Sequence, residues 1–169
     1  MPELPLVEKA RKEAVRRLKG RRIVAVRAVR DPIMMPGLEP AQVVKALRGA
    51  TITGAGRCGK FIWLELDRRP WLLMHFGMTG ELVYRAAAAP VPRHWRVDLE
   101  LDNGICVALV DPRRFGRALL VNAPLTEPPV SELGFDPYLD HVPGSEFVAA
   151  LRARRAPVKA VLLDQSFAA

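Results

Sequence analysis

Short apolar or alternating runs, separated by turn residues, fill most of the sequence between Thr51 and Asn122 and constrain the fold more than any other feature. The compositions of residues 67–70 and 102–104 are typical of hairpin connections. Six or more such strands joined by tight turns predict an antiparallel β-sandwich or a flattened barrel. The runs are TITGAGR, KFIWLEL, WLLMHF, WRVDLEL, ICVALV and RALLVN.

A helix is predicted ahead of these strands. Apolar residues between Leu6 and Leu18 recur at helical spacing and Gly20 is a typical stop, so we expect a helix over residues 3–19. A strand over residues 23–29 and a short helix over residues 40–48 follow. The predicted fold class is therefore α+β, with an N-terminal helix packed on an antiparallel β-sandwich.

The composition changes after residue 122. Residues 123–143 are rich in proline and acidic residues and show no period, which is typical of a linker. Residues 144–169 predict two helices, one with Ser145 as its N-cap and one with Pro157 in its first turn. Because two short helices bury too little for an independent core, we expect residues 1–122 to form one domain and the chain to end inside a second, truncated helical domain.

The chain is strongly basic, with a formal net charge of +8 and a pI near 10.2. Nine basic residues and one acid lie between Arg11 and Arg30, and Arg152, Arg154 and Arg155 form a smaller cluster. Such a surface favours a polyanionic partner, which is DNA, RNA or an anionic membrane face. The same charges also suit a solvated helix face in a protein that is merely basic.

Other bulk features indicate an intracellular, non-secreted protein. No apolar run is long enough to span a membrane, and the N-terminus lacks the apolar core of a secretion signal. Cys58 and Cys106 are too few for a disulfide framework or for a four-cysteine zinc site. We therefore expect reduced thiols and no metal site.

Pro2 and Glu3 form a candidate catalytic pair at the start of the chain. Removal of Met1 is common when the second residue is small, and it would leave Pro2 with a free secondary amine. Since an α-amino group has a pKa of about 8, a useful fraction is neutral at pH 7 and can attack an aldehyde-like carbon, giving a cationic iminium. Glu3 can act as general acid or base. The alternative is an ordinary helix entry, for which proline needs no chemical reason.

Two further motifs offer groups suited to phosphates and bases. In RCGKF, Lys60 begins a strand, where a lysine can hold a phosphate as a point charge; the alternative is an exposed lysine in an ordinary turn. In HFGMTGEL, His75 ends an apolar strand, and the glycines around Met78 allow a turn that presents it as a wedge between bases. More commonly, such a histidine is structural and such a methionine fills the core.

The motif DPRRFG joins two arginines to an aromatic ring. Arg113 can hydrogen-bond a base edge and Phe115 can insert into the base stack, or the motif is a hairpin with surface arginines. Lys159, on the last predicted helix, carries no information by itself.

In their order and spacing, MPELP, RCGKF, HFGMTG, DPRRFG and VKAVLLDQ resemble the formamidopyrimidine-DNA glycosylase and endonuclease-eight family, and its formamidopyrimidine branch in particular. The resemblance covers essentially the whole chain. It implies a bifunctional DNA glycosylase and apurinic-site lyase of base-excision repair. The substrates implied are oxidised purines, such as 8-oxoguanine and formamidopyrimidines, in damaged double-stranded DNA.

The resemblance implies catalytic roles for three residues. Pro2 would attack C1′ of the damaged nucleotide and form a Schiff base, and Glu3 would protonate the sugar ring oxygen. Lys60 would belong to the same centre and bind a phosphate beside the lesion. The iminium would then permit β- and δ-elimination, which cut the strand.

Five further residues would bind DNA if the resemblance holds. His75 and Lys159 would bind phosphates that flank the lesion. Met78, Arg113 and Phe115 would fill the space left by the extruded nucleotide, with Arg113 pairing to the orphaned base.

Two departures from the family pattern favour a rival interpretation. Leu6 stands where the family has a glutamate that is thought to aid base excision or release of the covalent intermediate. After Ala169 the family continues with the rest of its helix–two-turns–helix domain and a zinc finger, so its structural zinc would lie outside this chain, for which no cofactor is expected. The rival is a truncated fragment that binds DNA weakly and catalyses nothing; a third possibility is a basic β-domain that recognises RNA or a protein.

The resemblance also implies an oligomeric state and a location in the cell. A repair enzyme of this kind is expected to be a monomer that does not bind membranes. It would be nuclear in a eukaryote and would lie in the cytoplasm or nucleoid of a bacterium.

Overall fold

A computed structural model describes residues 3–169, which form an N-terminal helix, two four-stranded sheets and a C-terminal segment with two short helices. In chain order the elements are α1 (Leu4–Leu18), β1 (Ile23–Ala28), α2 (Pro40–Leu47), β2 (Ile52–Cys58), β3 (Phe61–Leu66), β4 (Trp71–His75), β5 (Glu81–Ala86), β6 (Trp95–Leu101), β7 (Ile105–Val110), β8 (Arg117–Val121), a 3-10 turn (Val130–Glu132), α3 (Gly144–Arg152) and α4 (Val158–Leu163).

The strands form a sandwich of two antiparallel sheets. One sheet has the order β1-β6-β7-β5 and the other the order β2-β3-β4-β8. The predicted fold class is thus confirmed, and α1, β1 and α2 each lie within one residue of their predicted ends. Strand β5 was not among the predicted runs, because as an edge strand it lacks the apolar alternation of its neighbours.

The core lies between the two sheets and extends under α1. Val7, Ala14 and Leu18 lie on one face of α1 and are buried, and the helix packs against β2 and β3. Met34 and Met35, in the loop before α2, are buried in the same cluster. This packing fixes the start of α1 relative to the β2–β3 turn, where the candidate site begins.

Parts of the segment after β8 contact this sandwich, namely residues 130–136 and Ala169. Val130 and Leu133 join a smaller apolar cluster with Trp63, and the rings of Phe135, Phe147 and Phe167 meet at 5.6–5.8 Å. Ala169 donates its N–H to the carbonyl of Phe135, so the last residues return to the linker.

The predicted cap at Ser145 is wrong. Helix α3 begins at Gly144 with Pro143 at the N-cap, and no side chain caps it. The helix begins one residue before Ser145, so Ser145 lies inside the first turn and not at the N-cap position, where a side chain could cap the free N–H groups. The domain limits at residues 122 and 143 stay predictions.

Among the described residues, no helix is both long and apolar enough to cross a membrane. Cys58 and Cys106 are free thiols. Within residues 3–169, no three His, Cys, Asp or Glu side chains are grouped so that they could hold a metal ion.

Candidate functional site

Lys60 and Glu3 form an ion pair beside the start of the chain. The Nζ of Lys60 lies 3.1 Å from Oε2 of Glu3, and the two side chains are 23% and 51% exposed. Lys60 occupies the tight turn between β2 and β3, while Glu3 is the N-cap residue of α1. Pro2, the predicted nucleophile, lies outside the described residues and directly precedes Glu3 in the sequence.

His75 lies next to this pair at the end of β4. It is directly opposite Phe61 in the sheet, and the two rings are 4.8 Å apart. Its Nδ1 accepts the N–H of Gly77 at 3.1 Å, which leaves Nε2 as the N–H of the neutral ring. Burial lowers the pKa of His75 below its usual value, and the nearby charges of Lys60 and Arg117 lower it further. The ring is therefore a neutral donor, suited to a phosphate oxygen.

Two loops beside His75 carry the candidate wedge residues. Met78, in the β4–β5 turn, is 41% exposed, and Phe115, in the β7–β8 loop, is 52% exposed. Large apolar side chains usually avoid water, so their exposure on adjacent loops marks a contact surface. The guanidinium of Arg113 lies 4.7 Å from the Phe115 ring centroid and forms no ion pair with any described residue.

Asp111 joins these two loops and was missed in the sequence. Its buried carboxylate accepts the hydroxyl of Thr79 at 2.6 Å, the N–H of Arg113 at 3.1 Å and the N–H of Gly116 at 2.8 Å. An aspartate that accepts the N–H two residues ahead forms an Asx turn, and its position at the head of DPRRFG is a signal for this role. Asp111 therefore sets where Arg113 and Phe115 point.

Glycines allow the loops to touch through their backbones. Gly77 has a φ of +57°, and a Cβ at this position would lie 2.4 Å from the backbone carbon of Phe115. A Cβ on Gly116 would lie 2.5 Å from the carbonyl oxygen of His75. Only glycine fits such contacts, which explains the glycines in both motifs.

Arg57, in the same motif as Lys60, is the centre of a buried ion cluster that was also missed. Its fully buried guanidinium pairs with Glu8 of α1 at 3.1 Å and with Asp136 of the linker. Asp136 also accepts the N–H of Gly59 at 2.8 Å. Three parts of the chain therefore meet under the turn that carries Lys60.

Leu6 lies on the wall of a groove between α1 and the β4–β5 turn. The groove has a volume of about 680 Å³, and Leu6 itself is 55% exposed. The hydroxyl of Tyr84 is buried and has no hydrogen-bond partner among the described residues, and burial raises the pKa of this tyrosine to about 12. The apolar side chains on the wall of the groove are Leu6, Ala10, Phe76, Met78 and Leu82.

The sequence-predicted residues thus divide into three groups. Glu3, Lys60 and His75 lie together, and Met78, Arg113 and Phe115 lie on the two joined loops. Lys159 is exposed on α4 and makes no hydrogen bond or ion pair to the other motifs within the described residues. The arrangement combines a carboxylate, an ammonium, a neutral imidazole and exposed wedges, which suits an anionic polymer with stacked bases.

Comparison with known proteins agrees with this assembly. Residues 1–118 match the family model described as the formamidopyrimidine-DNA glycosylase N-terminal domain. The chain is 39% identical to the formamidopyrimidine-DNA glycosylase of Salinispora arenicola over 98% of its length, and 33% identical to that of Arabidopsis thaliana over 99%. It covers 59% and 46% of these two relatives.

Solved structures give the same result at the level of the fold. The wild-type Lactococcus lactis enzyme in complex with DNA that contains N7-benzyl-Fapy-dG superposes with a TM-score of 0.87 at 28% identity. A complex of the Lactococcus lactis enzyme with DNA that contains an abasic site also has a TM-score of 0.87. In each case the match covers 99% of this chain and about three fifths (62% and 61%) of the other.

Proposed function

Because the chain belongs to the formamidopyrimidine-DNA glycosylase family, we propose that it excises oxidised purines from duplex DNA through a Schiff base on Pro2 and then cuts the strand as a lyase. The observation that carries the proposal is the Lys60–Glu3 pair beside His75 and two exposed wedge loops. Pro2 precedes Glu3 directly, so its amine would start the reaction next to this pair.

The wedges and the basic residues support binding to damaged duplex DNA. Lys60, which is partly exposed, and the Nε2–H of His75 would be the donors for phosphates that flank a lesion. Met78 and Phe115 would replace an extruded nucleotide in the stack, and Arg113 would hydrogen-bond the orphaned base. The groove beside Leu6 and Met78 offers an apolar space for the extruded base.

The chemistry follows from a secondary amine at a sugar carbon. The nitrogen of Pro2 bonds to C1′ as the bond from C1′ to the base breaks, and the base leaves with that electron pair. The nitrogen loses its proton, Glu3 protonates the ring oxygen, and the ring opens to an iminium. The iminium acidifies C2′, so loss of that proton expels the 3′ phosphate, and a second elimination expels the 5′ phosphate.

Borohydride trapping tests the proposal. The protein is incubated with duplex DNA that contains an abasic site, reduced, and examined by mass spectrometry for an adduct on Pro2. We expect an adduct for the wild type and for the control Pro5→Ala, which leaves the terminal amine unchanged. Pro2→Gly would lose most of the adduct, because a displaced primary amine replaces the secondary one.

Other outcomes favour the other candidates. Preferential binding of the abasic duplex without an adduct favours the alternative in which the chain binds DNA and catalyses nothing, for which Leu6 is the support. Equal affinity for abasic and undamaged duplexes at a fixed salt concentration contradicts lesion recognition altogether. Retention of Met1 or an acetylated terminus would block attack by Pro2.

A further inference from the structure

Seven exposed cations form a second basic surface, which we call the distal patch. They come from the α1–β1 loop, the end of α2 and the β3–β4 hairpin. None of them belongs to the motifs of the candidate site. They are Lys19, Arg21, Arg22, Lys45, Arg48, Arg68 and Arg69.

Backbone hydrogen bonds hold these segments together. The carbonyl of Thr51 accepts the N–H of Asp67 at 2.9 Å, and the carbonyl of Ile52 accepts the N–H of Gly20 at 2.7 Å. A guanidinium nitrogen of Arg68 donates to the carbonyl of Arg48. The patch is thus built on the ends of regular elements rather than on a free loop.

Like charges meet at the centre of the patch. A Cβ on Gly49 would lie 3.3 Å from a guanidinium nitrogen of Arg68 and 3.9 Å from one of Arg22, so both cations converge on the same point. Arg69 is fixed above the Trp71 ring at 3.3 Å. Adjacent cations repel one another, and an anion between them removes that repulsion.

The cations of the patch have no internal counter-ions. Among the described residues, none of the seven forms an ion pair, whereas Lys12, Arg16 and Arg30 on other surfaces pair with Glu8, Glu13 and Glu39. The nearby acids are Asp67 and Asp102. Asp67 accepts the N–H of Thr51, and neither carboxylate lies within ion-pair distance of a cation.

The patch lies at the opposite end of the sandwich from the candidate site. Lys60 precedes β3 and Arg68 follows it, and the six residues of β3 span about 20 Å at about 3.3 Å per residue. Lys60, His75 and both wedge loops lie at the same end of the strands, so a duplex that receives the wedges lies across that end. Duplex DNA is stiff over roughly 150 base pairs, so it does not turn back to the other end of β3. A polyanion on the patch is therefore a separate molecule, or a distant segment of the DNA that is bound at the Lys60 end.

We propose that the distal patch binds the phosphate backbone of a second DNA duplex while the Lys60 end holds the first. A concave surface of about 430 Å³, lined by Lys45, Arg68 and Arg69 with Gln42, gives phosphates a place to sit. Such a surface would let the protein bridge two DNA duplexes and transfer from one to the other. This proposal rests on the proposed function only for the identity of the DNA duplex at the Lys60 end.

A two-duplex binding experiment tests this. One labelled duplex carries a tetrahydrofuran abasic analogue, and a second, undamaged duplex carries another dye; sedimentation velocity at low salt detects complexes that contain both. The patch variant is Arg22→Gln, Lys45→Gln, Arg68→Gln. The matched control, Lys12→Gln, Arg16→Gln, Arg30→Gln, removes the same charge from cations that are already paired.

We expect complexes with both duplexes for the wild type and the control. The patch variant should bind the second duplex at least about tenfold more weakly, and the slope of log K against log salt for that duplex should decrease in magnitude by about 2.7. Equal losses in the patch variant and the control would overturn the proposal. So would the absence of any second duplex on the wild type, or binding of phosphatidylserine vesicles in place of that duplex.

The result separates this inference from the repair proposal. If the first duplex binds without preference for the abasic analogue but the second still depends on the patch, the repair function fails and the second site stands.

Discussion

At the scale of single residues, the candidate site combines groups whose states are set by their neighbours. His75 is kept neutral by burial and by Lys60 and Arg117, and its Nδ1 is occupied by Gly77. It can therefore donate one N–H to a phosphate without adding a charge. Lys60, paired with Glu3, is the group that would supply the charge.

Lys60→Ala should weaken binding to any duplex, because one phosphate contact is lost. The slope of log K against log salt should decrease in magnitude by about one. Arg30→Ala, which removes an exposed cation outside the candidate site, is the control and should leave the slope unchanged. Fluorescence anisotropy over a salt series measures both, and an unaltered slope for Lys60→Ala would rule out a phosphate contact.

Leu6→Glu should accelerate base excision, because it restores a carboxylate to the groove where the family has one. The N–H of Leu6 donates to the carbonyl of Glu3 at 2.9 Å, so residue 6 lies one turn along α1 from the candidate acid. We expect single-turnover release of 8-oxoguanine to rise about 100-fold, the lower end of the usual range for a proton-transfer group. Leu6→Gln has the same shape without the charge, and equal acceleration by it would contradict a role for the carboxylate.

At the scale of elements, the candidate site depends on contacts between loops that are distant in sequence. Strand β4 pairs with β8, and this pairing brings the β4–β5 turn against the β7–β8 loop. Gly77 and Gly116 allow their backbones to touch, and Asp111 joins both by hydrogen bonds. The wedge residues are therefore held in place by the sheet and do not depend on their own loops alone.

Asp111→Asn should loosen both wedge loops together. An amide cannot accept all three hydrogen bonds, and its NH2 group would face a backbone N–H, so we expect a loss of about 1–3 kcal/mol in the free energy of unfolding. The preference for abasic over undamaged duplex should fall as well. Thr79→Val, which removes one of the three bonds, should cost about 1 kcal/mol. Urea denaturation and duplex binding measure the two effects; an unchanged preference in a destabilised Asp111→Asn would show that the loops act separately.

What the sequence predicts well is local. Helix α1 and strand β1 were predicted within one residue because periodicity and a glycine stop are local signals. The roles of Asp111 and Arg57 were not predicted, since they depend on partners brought close by strand pairing. Arg57 and Asp136 are 79 residues apart in the sequence, and no periodic pattern connects them.

At the scale of the whole molecule, the Arg57 cluster links the sandwich, α1 and the linker. The guanidinium is fully buried, and Asp136 is 1% exposed, so neither charge can be solvated if its partner is lost. Burial raises the pKa of Asp136, but the hydrogen bonds from Arg57 and from the backbone outweigh it and lower that pKa overall. Such clusters stabilise little relative to an apolar core but cost much when broken, so this one fixes the relative position of its three segments.

Glu8→Gln should therefore destabilise the protein in a way that depends on pH. Hydrogen bonds from Arg11, and then from Arg57, lower the pKa of Glu8 from 4.5 to about 2 against the effect of burial. The carboxylate contributes at most about 3 kcal/mol, all of it present above pH 4.5 and lost as the pH falls toward 2, because the unfolded chain takes up its proton first. The difference in unfolding free energy between wild type and variant should be largest near pH 7 and narrow below pH 4.5.

Glu13→Gln is the matched control for this pH dependence. Glu13 lies on the same helix, and hydrogen bonds from Arg16 and Arg17 also lower its pKa to about 2, but its ion pairs are open to solvent and screened by salt. We expect little change in stability from Glu13→Gln, and none in high salt, whereas the effect of Glu8→Gln should persist there. Urea denaturation at several pH values and two salt concentrations distinguishes the two; equal effects of both substitutions would mean that burial does not decide how much the ion pairs of the Arg57 cluster contribute to the free energy of unfolding.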